Sequence, residues 1–392
     1  MFSARLRQPA GRNRLAVALE RRRASGLPIV DLTLSNPTQA GFSYPPDLLR
    51  PLAAVEALRY EPAPFGLESA RGAVSADFAR RGTAVPPNQI VLTASTSEAY
   101  SLLFKLLCDP GDAVLAPRPS YPLVEHLTGL DGVSLDHYGL EFHGRWTIDL
   151  HALGGRLSAP AGTRIRAVIA ISPNNPTGSV IDTGELDAMA SLAREHQVAL
   201  IADEVFADYP VAGLPPSSVL RQQTALTFSL GGLSKSVGLP QVKLGWIGVG
   251  GPAPLVEDAM DRLETICDAY LSVSTPVQVA AAELLRAGAP VRAQIHQRVR
   301  DNFAILVQTA AACPACSVLP VEAGWYAVVQ VPAIQSEEMI VLDLLDRTGV
   351  LVHPGYFYDF EREAFLVLSL LPEPGVFAAA AQTLFSEMGR LR

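Results

Sequence analysis

The sequence predicts an α/β fold with a mainly parallel sheet covered by helices, followed by a smaller α+β unit. Short hydrophobic runs alternate with amphipathic stretches from about residue 90 to residue 250. Most of these runs lack the polar alternation of a half-exposed strand, which indicates strands buried on both faces of a parallel sheet. With 392 residues, 49% of them hydrophobic, the chain is long enough for two or three structural units.

The sheet elements follow one another along the chain in strand and helix order. Strands are predicted at 90–93, 113–116, 166–171, 198–202, 225–229 and 244–248. Amphipathic spacing predicts helices over 97–107 and 184–196. The turn sequence Asp109-Pro110-Gly111-Asp112 separates the first of these helices from the second strand.

After about residue 258 the pattern changes. Helices are predicted at 276–287 and 291–312, and strands at 325–331 and 365–370. We therefore expect a large domain over 46–275 and a small domain formed by 1–45 together with 276–392. The arginine-rich start is weakly similar to a transit segment, but the spacing of Leu6, Leu15, Val17 and Leu19 favours an ordinary helix.

Composition restricts the classes of partner and compartment. The net charge of −8 argues against broad binding of nucleic acid. No run approaches the ~18 apolar residues of a membrane span, so we expect no membrane partner. Four scattered cysteines predict a reducing, cytoplasmic location. Cys313-Pro314-Ala315-Cys316 has redox or zinc spacing, but its position between a helix and a strand favours a plain turn without metal.

Polar residues follow three strands of the predicted sheet. Asn175 lies in the run Ser-Pro-Asn-Asn-Pro-Thr-Gly after the strand 166–171, Asp203 ends the next strand, and Lys235 follows the third. Spacings of 28 and 32 residues suit one strand-helix-strand unit each. Since ligands bind at the carboxyl ends of parallel strands, these side chains are expected in one crevice.

An amide, a carboxylate and a lysine together suit an aldehyde cofactor with a pyridine ring. The lysine can form a Schiff base with the aldehyde, and the carboxylate can keep the ring nitrogen protonated. The amide can bind the ring hydroxyl. Taken alone, each also fits an ordinary role: Asn175 as a turn residue, Asp203 as a helix N-cap and Lys235 as a surface charge.

These motifs, in this order and spacing, resemble the class I/II aminotransferases of fold type I, which use pyridoxal 5′-phosphate. The segments that carry the resemblance are Ser172–Gly178, the Asp-Glu-Val-Phe sequence at 203–206, and Leu-Ser-Lys-Ser-Val-Gly-Leu-Pro at 233–240. Leu-Thr-Leu-Ser-Asn-Pro-Thr at 32–38 is similar to the N-terminal signature of that family. Tyr60 with Gly66 resembles a further conserved region of it.

The resemblance implies a role for each matching residue. Lys235 would be the Schiff-base lysine and proton shuttle, Asp203 the partner of the ring nitrogen, and Tyr121 the aromatic residue stacked on the ring. Tyr60 would contact the phosphate of the neighbouring subunit, which implies a homodimer with shared sites. The implied cofactor-binding residues are Ser95, Thr96, Ser97, Tyr121, Asn175, Asp203, Phe206, Ser234, Lys235, Lys243 and Tyr60. The candidate substrate contacts are Asn36, Asn175 and Trp325. Trp325 and Tyr326 are candidate pocket walls, although aromatic residues of this kind more often belong to a core strand.

Four positions depart from the family pattern. Phe206 replaces a tyrosine that binds the ring oxygen, Gly232 replaces a phosphate-binding serine, and Lys243 replaces an arginine. Lysine retains the charge without the bidentate fork of arginine. Val367 stands where the family carries the arginine that binds the substrate carboxylate, so another cation is expected or ordinary amino acids bind weakly. Arg362 is a candidate substitute, although a solvated surface position suits it better.

We predict an aminotransferase that moves an amino group between an amino acid, or a related amine, and a 2-oxo acid. Lys235, Asp203 and Tyr121 would carry the chemistry. A lyase, decarboxylase or synthase on the same scaffold is an alternative, because the substrate pose selects which bond breaks. A non-catalytic cofactor-binding protein is a further alternative. An oxidoreductase is disfavoured because no strand is followed by Gly-x-Gly-x-x-Gly.

Overall fold

A central eight-stranded sheet organises the large unit of the chain. The computed structural model describes residues 2–3, 5, 11–159, 164–212 and 216–390. The helices are α1 (Arg14–Ala24), α2 (Glu68–Arg80), α3 (Thr96–Leu107), α4 (Leu123–Asp131), α5 (Leu150–Leu157), α6 (Thr183–Glu195), α7 (Leu233–Ser236), α8 (Ala253–Tyr270), α9 (Thr275–Ala287), α10 (Ala289–Ala310), α11 (Glu337–Thr348) and α12 (Pro374–Met388). The strands are β1 (Val30–Asp31), β2 (Ile90–Thr93), β3 (Ala113–Arg118), β4 (Ser134–Phe142), β5 (Trp146–Ile148), β6 (Ile165–Ile171), β7 (Ala199–Asp203), β8 (Thr227–Gly232), β9 (Gly245–Gly250), β10 (Ser317–Val318), β11 (Tyr326–Gln330), β12 (Val350–Leu351), β13 (His353–Pro354) and β14 (Phe365–Ser369).

The central sheet has the order β2-β9-β8-β7-β6-β3-β4-β5. Strands β8, β7, β6, β3 and β4 run parallel to one another, whereas β9 is antiparallel to both of its neighbours and β5 is antiparallel to β4. The predicted mainly parallel sheet is therefore confirmed. Because β6, β7 and β8 are parallel neighbours, their carboxyl ends lie side by side at one edge.

Two apolar layers cover the faces of this sheet. Successive residues of β2 point to opposite layers: Val91 packs in the layer that contains Tyr100 and Phe228, and Leu92 packs in the layer that contains Phe78. Each of these five side chains is nearly or fully buried. Burying such a side chain contributes about 1.5–3 kcal/mol to the stability of the fold. Because both faces of the strand are covered, residues on both faces are hydrophobic, and the strand appears in the sequence as a continuous hydrophobic run.

The second unit is a four-stranded antiparallel sheet of order β10-β11-β14-β13, covered by helices that include α10, α11 and α12. The N-terminal segment packs on this unit. Strand β1 pairs in parallel with β12, and Arg14 Nη1 lies 2.8 Å from Glu338 Oε2 on α11. The predicted N-terminal helix is present as α1, although Leu6 lies outside the described residues. The domain boundaries at 45/46 and 275/276 stay a prediction.

A third apolar cluster joins the two units. Phe206, just after β7, contacts Trp325 and Tyr326 at the start of β11, with ring centroids 5.3 and 6.1 Å apart. The cleft between the units therefore opens directly beside the carboxyl end of β7.

Cys313 and Cys316 occupy a turn after α10 with their sulfur atoms 3.6 Å apart. Over the described ranges, no cluster of metal-ligating side chains occurs. None of the helices in that same part of the chain is long and apolar enough to cross a membrane.

Candidate active site

A cavity of about 240 Å³ lies at the carboxyl ends of β6, β7 and β8, between the central sheet and the second unit. The structure brings six of the predicted site residues to its wall: Thr96, Tyr121, Asn175, Asp203, Phe206 and Lys235. The three residues on which the cofactor prediction depended, Asn175, Asp203 and Lys235, therefore share one crevice.

Lys235 lies in the short helix α7, which directly follows β8. Its Nζ is 4.8 Å from the ring centroid of Trp325 and 5.5 Å from that of Phe206. Burial against these rings lowers the pKa of Lys235 to about 8, while the charge of Asp203 acts in the opposite direction. The Tyr209 hydroxyl donates to the backbone carbonyl of Lys235 and fixes the chain there. A lysine in this setting has a larger neutral, nucleophilic fraction near neutral pH than an ordinary lysine.

Asp203 is the last residue of β7 and is surrounded by protein. Burial raises the pKa of its carboxyl to about 6, although two hydrogen bonds favour the anion. The Val205 backbone N–H donates to Oδ1 at 3.2 Å, and the Tyr100 hydroxyl donates to Oδ2 at 3.3 Å. A buried carboxylate in this position suits a cationic N–H group as its partner.

Asn174 and Asn175 are adjacent and buried, but only one of them is satisfied. Asn174 Oδ1 accepts from the backbone N–H and the hydroxyl of Thr177, and its Nδ2 donates to the carbonyl of Pro119 at 3.4 Å. Asn175 Oδ1 has no hydrogen-bond partner among the described residues, yet Asn175 lines the cavity. Since buried polar atoms are normally paired, this atom indicates that a ligand completes the site.

The segment Ser95-Thr96-Ser97 forms the N-terminus of α3. Ser95 is the N-cap, with its hydroxyl accepting from the Glu98 backbone N–H at 3.2 Å, and Thr96 reaches the cavity. A helix N-terminus that opens onto a cavity favours an anion such as a phosphate.

Two further predicted cofactor contacts lie close by in the chain. Lys243 is exposed, with a φ of 62°, and precedes β9. A Cβ on Gly245 would lie 3.2 Å from the Cα of Ser95, so the start of β9, two residues after Lys243, lies next to the N-cap of α3. Ser234 is half-buried next to Lys235. Neither side chain is part of the cavity wall.

Five further residues named from the sequence also lie outside the cavity wall. Tyr60 is 68% exposed and borders a separate groove that also contains Tyr270. Asn36 caps a short helix by accepting from Thr38. Of the two aromatic residues predicted as pocket walls, Tyr326 lines the cavity, whereas Trp325 is fully buried and packs against Phe206.

The remaining two positions concern carboxylate binding. Val367 is buried within β14 and does not reach the cavity. Arg362 is exposed on the loop before β14, which agrees with its interpretation as a surface charge. The expected replacement cation is therefore not Arg362.

Sequence reasoning missed several wall residues. Tyr100 lies inside a helix that reads as plain amphipathic sequence. The N-terminal segment and the second unit supply the others: Thr33, Ser35, His353 and Tyr358. Their approach to Lys235 depends on long-range packing and left no local signal, apart from the position of Thr33 and Ser35 inside the segment 32–38.

The residues present fit pyridoxal phosphate. An unpartnered amide oxygen, a buried carboxylate, a lysine with a lowered pKa and a helix N-terminus surround one cavity. The fold and this cavity together define a transferase of fold type I.

The comparisons with known proteins identify the family. The profile of "Aminotransferase class I and II" matches residues 57–373, and the chain belongs to this family. It is 28% identical to alanine aminotransferase of Mycobacterium tuberculosis over 386 residues, covering 92% of this chain and 86% of that protein. It is 26% identical over 374 residues to the glutamate-pyruvate aminotransferase AlaA of Haemophilus influenzae, covering 88% and 87%.

Solved structures show the same fold. An alanine aminotransferase from Pyrococcus furiosus superimposes with a TM-score of 0.85 at 22% identity, covering 95% of each chain. An aminotransferase from Escherichia coli gives the same TM-score and identity, covering 100% of this chain and 98% of the other. The protein is thus an aminotransferase, as the sequence predicted.

Proposed function

We propose that the protein uses pyridoxal 5′-phosphate, held through Lys235, to move an amino group between an amino acid or related amine and a 2-oxo acid. The observation that carries this proposal is the shared cavity lined by Lys235, Asp203 and Asn175, in which Asn175 Oδ1 has no hydrogen-bond partner among the described residues. When bound, the cofactor supplies an aldehyde that reacts with amines and a ring that withdraws electrons.

Each residue then has a defined task. Asp203 keeps a proton on the ring nitrogen, Asn175 binds the ring hydroxyl, and the first turn of α3 binds the phosphate. Lys235 holds and releases a proton at Nζ, for which its pKa of about 8 is suited. Tyr121, a 48% exposed residue of the cavity lining, would stack on the ring and exclude water.

A homodimer is part of the proposal. Tyr60 projects into solvent away from the cavity of its own subunit, and Val55 and Leu58 beside it are 71% and 86% exposed. A second copy covering this strip would bury its apolar surface and bring Tyr60 to the partner's phosphate. We also propose a cytoplasmic location, on the ground of the few, scattered cysteines.

The names of the relatives support small amino and oxo acids as substrates. The matched proteins are an alanine aminotransferase and a glutamate-pyruvate aminotransferase. Alanine, glutamate and their 2-oxo acids are therefore the first compounds to test.

The decisive experiment uses the small number of lysines. The protein is mixed with pyridoxal phosphate, reduced with borohydride and digested, and the labelled peptide is identified by mass spectrometry. We expect the label on Lys235, with its loss in Lys235→Ala and its retention in Lys105→Ala and Lys243→Ala. Formation of the 2-oxo acid from each amino donor is then followed in the same four proteins. A label elsewhere, or oxo-acid formation by Lys235→Ala, would refute the proposal.

A further inference from the structure

The cavity wall that faces the second unit and the N-terminal segment is polar but uncharged. It is formed by Thr33, Ser35, Tyr326, His353 and Tyr358. Within the described part of the chain, Lys235 supplies the only cationic side chain in the cavity lining, and no arginine reaches it. Because Lys235 is assigned to the reaction with the amine, it is not free to bind a substrate carboxylate.

His353 and Tyr358 form a hydrogen-bonded pair in this wall, with His353 Nδ1 and the Tyr358 hydroxyl 3.0 Å apart. His353 lies on β13, opposite the buried Val367 of β14, and burial lowers the pKa of its imidazole. Burial also raises the pKa of Tyr358. Both partners are therefore neutral near pH 7, and a Tyr358 hydroxyl that donates to Nδ1 leaves the imidazole proton on Nε2.

The charges around this pair disfavour an anion. The ionised group that acts on His353 is Asp31, whose Oδ1 accepts from the Thr33 hydroxyl at 2.6 Å. Arg118 donates from Nε to the backbone carbonyl of Asp359 at 3.0 Å and is not part of the cavity lining. A substrate carboxylate here would lose water, gain no guanidinium and lie near a carboxylate of the protein.

We propose that the His353–Tyr358 pair binds an uncharged hydrogen-bonding group of the amino donor, so that the donor is an amine ending in an amide or alcohol rather than a carboxylate. This inference rests on the proposed function and selects the related-amine branch of it. A 2-oxo acid acceptor then binds this wall without an ion pair and needs a higher concentration.

The test compares two unreactive ligands of equal size, butyramide and butyrate, on the enzyme loaded with pyridoxal phosphate. Dissociation constants are measured by calorimetry for the parent, His353→Arg and His353→Gln. We expect butyramide to bind the parent at least as tightly as butyrate. Arginine at 353 should move the ratio toward butyrate by about tenfold or more, since it adds a charge-assisted fork. Glutamine, neutral and polar, should leave the ratio unchanged.

Tighter binding of butyrate by the parent would overturn the inference, and so would an unchanged ratio in a folded His353→Arg protein. If the arginine variant does not fold, the parent ratio alone decides. The turnover of L-alaninamide relative to L-alanine is measured in the same proteins, and the ratio between variants cancels the intrinsic difference between the two amines. A protein that prefers butyramide but transfers no amino group from L-alaninamide, L-alanine or L-glutamate would refute the proposed function, and only the preference of this wall for an uncharged ligand would remain.

Discussion

The Tyr100 hydroxyl donates a hydrogen bond to Asp203 Oδ2 at 3.3 Å. Tyr100 belongs to α3, so the helix whose first turn faces the cavity also supports the carboxylate at its base. Tyr100→Phe removes a donor that stabilises the anion, and the pKa of Asp203 should rise further above 6. We expect the affinity for pyridoxal phosphate at pH 7 to fall about three- to tenfold.

This prediction is checked by titrating the cofactor-free protein with pyridoxal phosphate from pH 5 to pH 9. The pH below which affinity falls should be higher in Tyr100→Phe than in the parent. Tyr138→Phe, which also loses a buried hydroxyl bonded to Ile169, is the control and should keep the parental profile. Identical profiles in all three proteins would contradict a role for Tyr100.

Asp203 should lower the stability of the cofactor-free protein. Its pKa is raised from 3.8 to about 6, so the folded state binds more protons than the unfolded state in that window, and stability falls as pH rises through it. At 1.36 kcal/mol per pKa unit, this shift lowers the free energy of unfolding above pH 6 by about 3 kcal/mol. Asp203→Asn should therefore stabilise the cofactor-free protein at pH 7.5. The gain is reduced by the loss of the attraction between Asp203 and Lys235.

Urea unfolding at pH 4 and pH 7.5 measures this effect. The exposed Asp47→Asn is the control and should change little at either pH. An Asp203→Asn protein less stable than the parent at pH 7.5 would show that burial of this carboxylate costs nothing.

The two adjacent asparagines should separate stability from binding. Asn174→Ala removes three hydrogen bonds of a buried side chain and should lower the free energy of unfolding by about 2 kcal/mol. Asn175→Ala removes an oxygen that has no protein partner among the described residues, so stability should change little while cofactor affinity falls about tenfold. Denaturant unfolding and a fluorescence titration measure the two quantities. A large stability loss in Asn175→Ala would contradict this division.

Restoring the family serine at position 232 should harm the protein. A Cβ on Gly232 would lie 3.0 Å from the Leu244 carbonyl oxygen and 3.2 Å from Gly245 Cα. These are backbone atoms of a paired strand and cannot move aside cheaply. Gly232→Ser should therefore cost about 1–3 kcal/mol of stability. The melting temperature is compared with that of Ser234→Thr, a nearby change on a half-buried side chain, and an unchanged value for Gly232→Ser would refute the steric argument.

Phe206→Tyr should change how the bound cofactor ionises. Phe206 lines the cavity 5.5 Å from Lys235 Nζ, and a hydroxyl there can donate to the oxygen of the ring. Such a donor stabilises the anion, so the visible absorbance of the loaded enzyme should change at a lower pH than in the parent. Phe206→Leu has no hydroxyl and should show no such decrease. A midpoint that is unmoved in the tyrosine variant would exclude this interaction.

The sequence was sufficient where the signal was local. Strand β2 was predicted with its observed limits, and α3 begins at Thr96, one residue earlier than expected, because Ser95 is the N-cap. One rule, that the carboxyl ends of parallel strands lie at a common edge of the sheet, was enough to predict that Asn175, Asp203 and Lys235 lie close together.

Other features depend on contacts between distant residues. The antiparallel direction of β9 leaves no mark on its hydrophobic run, since both orientations are buried alike. His353 and Lys235 line the same cavity although more than a hundred residues of chain separate them. Only the packing of the two units brings them to that cavity. The burial of Trp325 was equally invisible, because the first four residues of β11, which follow it, are all buried and nothing local shows which side chain faces the cavity.

The segment that carries Lys235 is a closed unit. It leaves the sheet at Gly232 and returns at Gly245, which pair with each other, and the Leu233 N–H donates to the Leu244 carbonyl at 2.9 Å. The first and last residues of this segment are therefore held by one pair of neighbouring residues in the sheet. We expect that the residues between them can be replaced without changing the path of the chain on either side. Replacing residues 233–244 with those of a relative should leave the surrounding fold intact. A single inserted residue should break the pairing of Gly232 with Gly245 and displace the amine of Lys235.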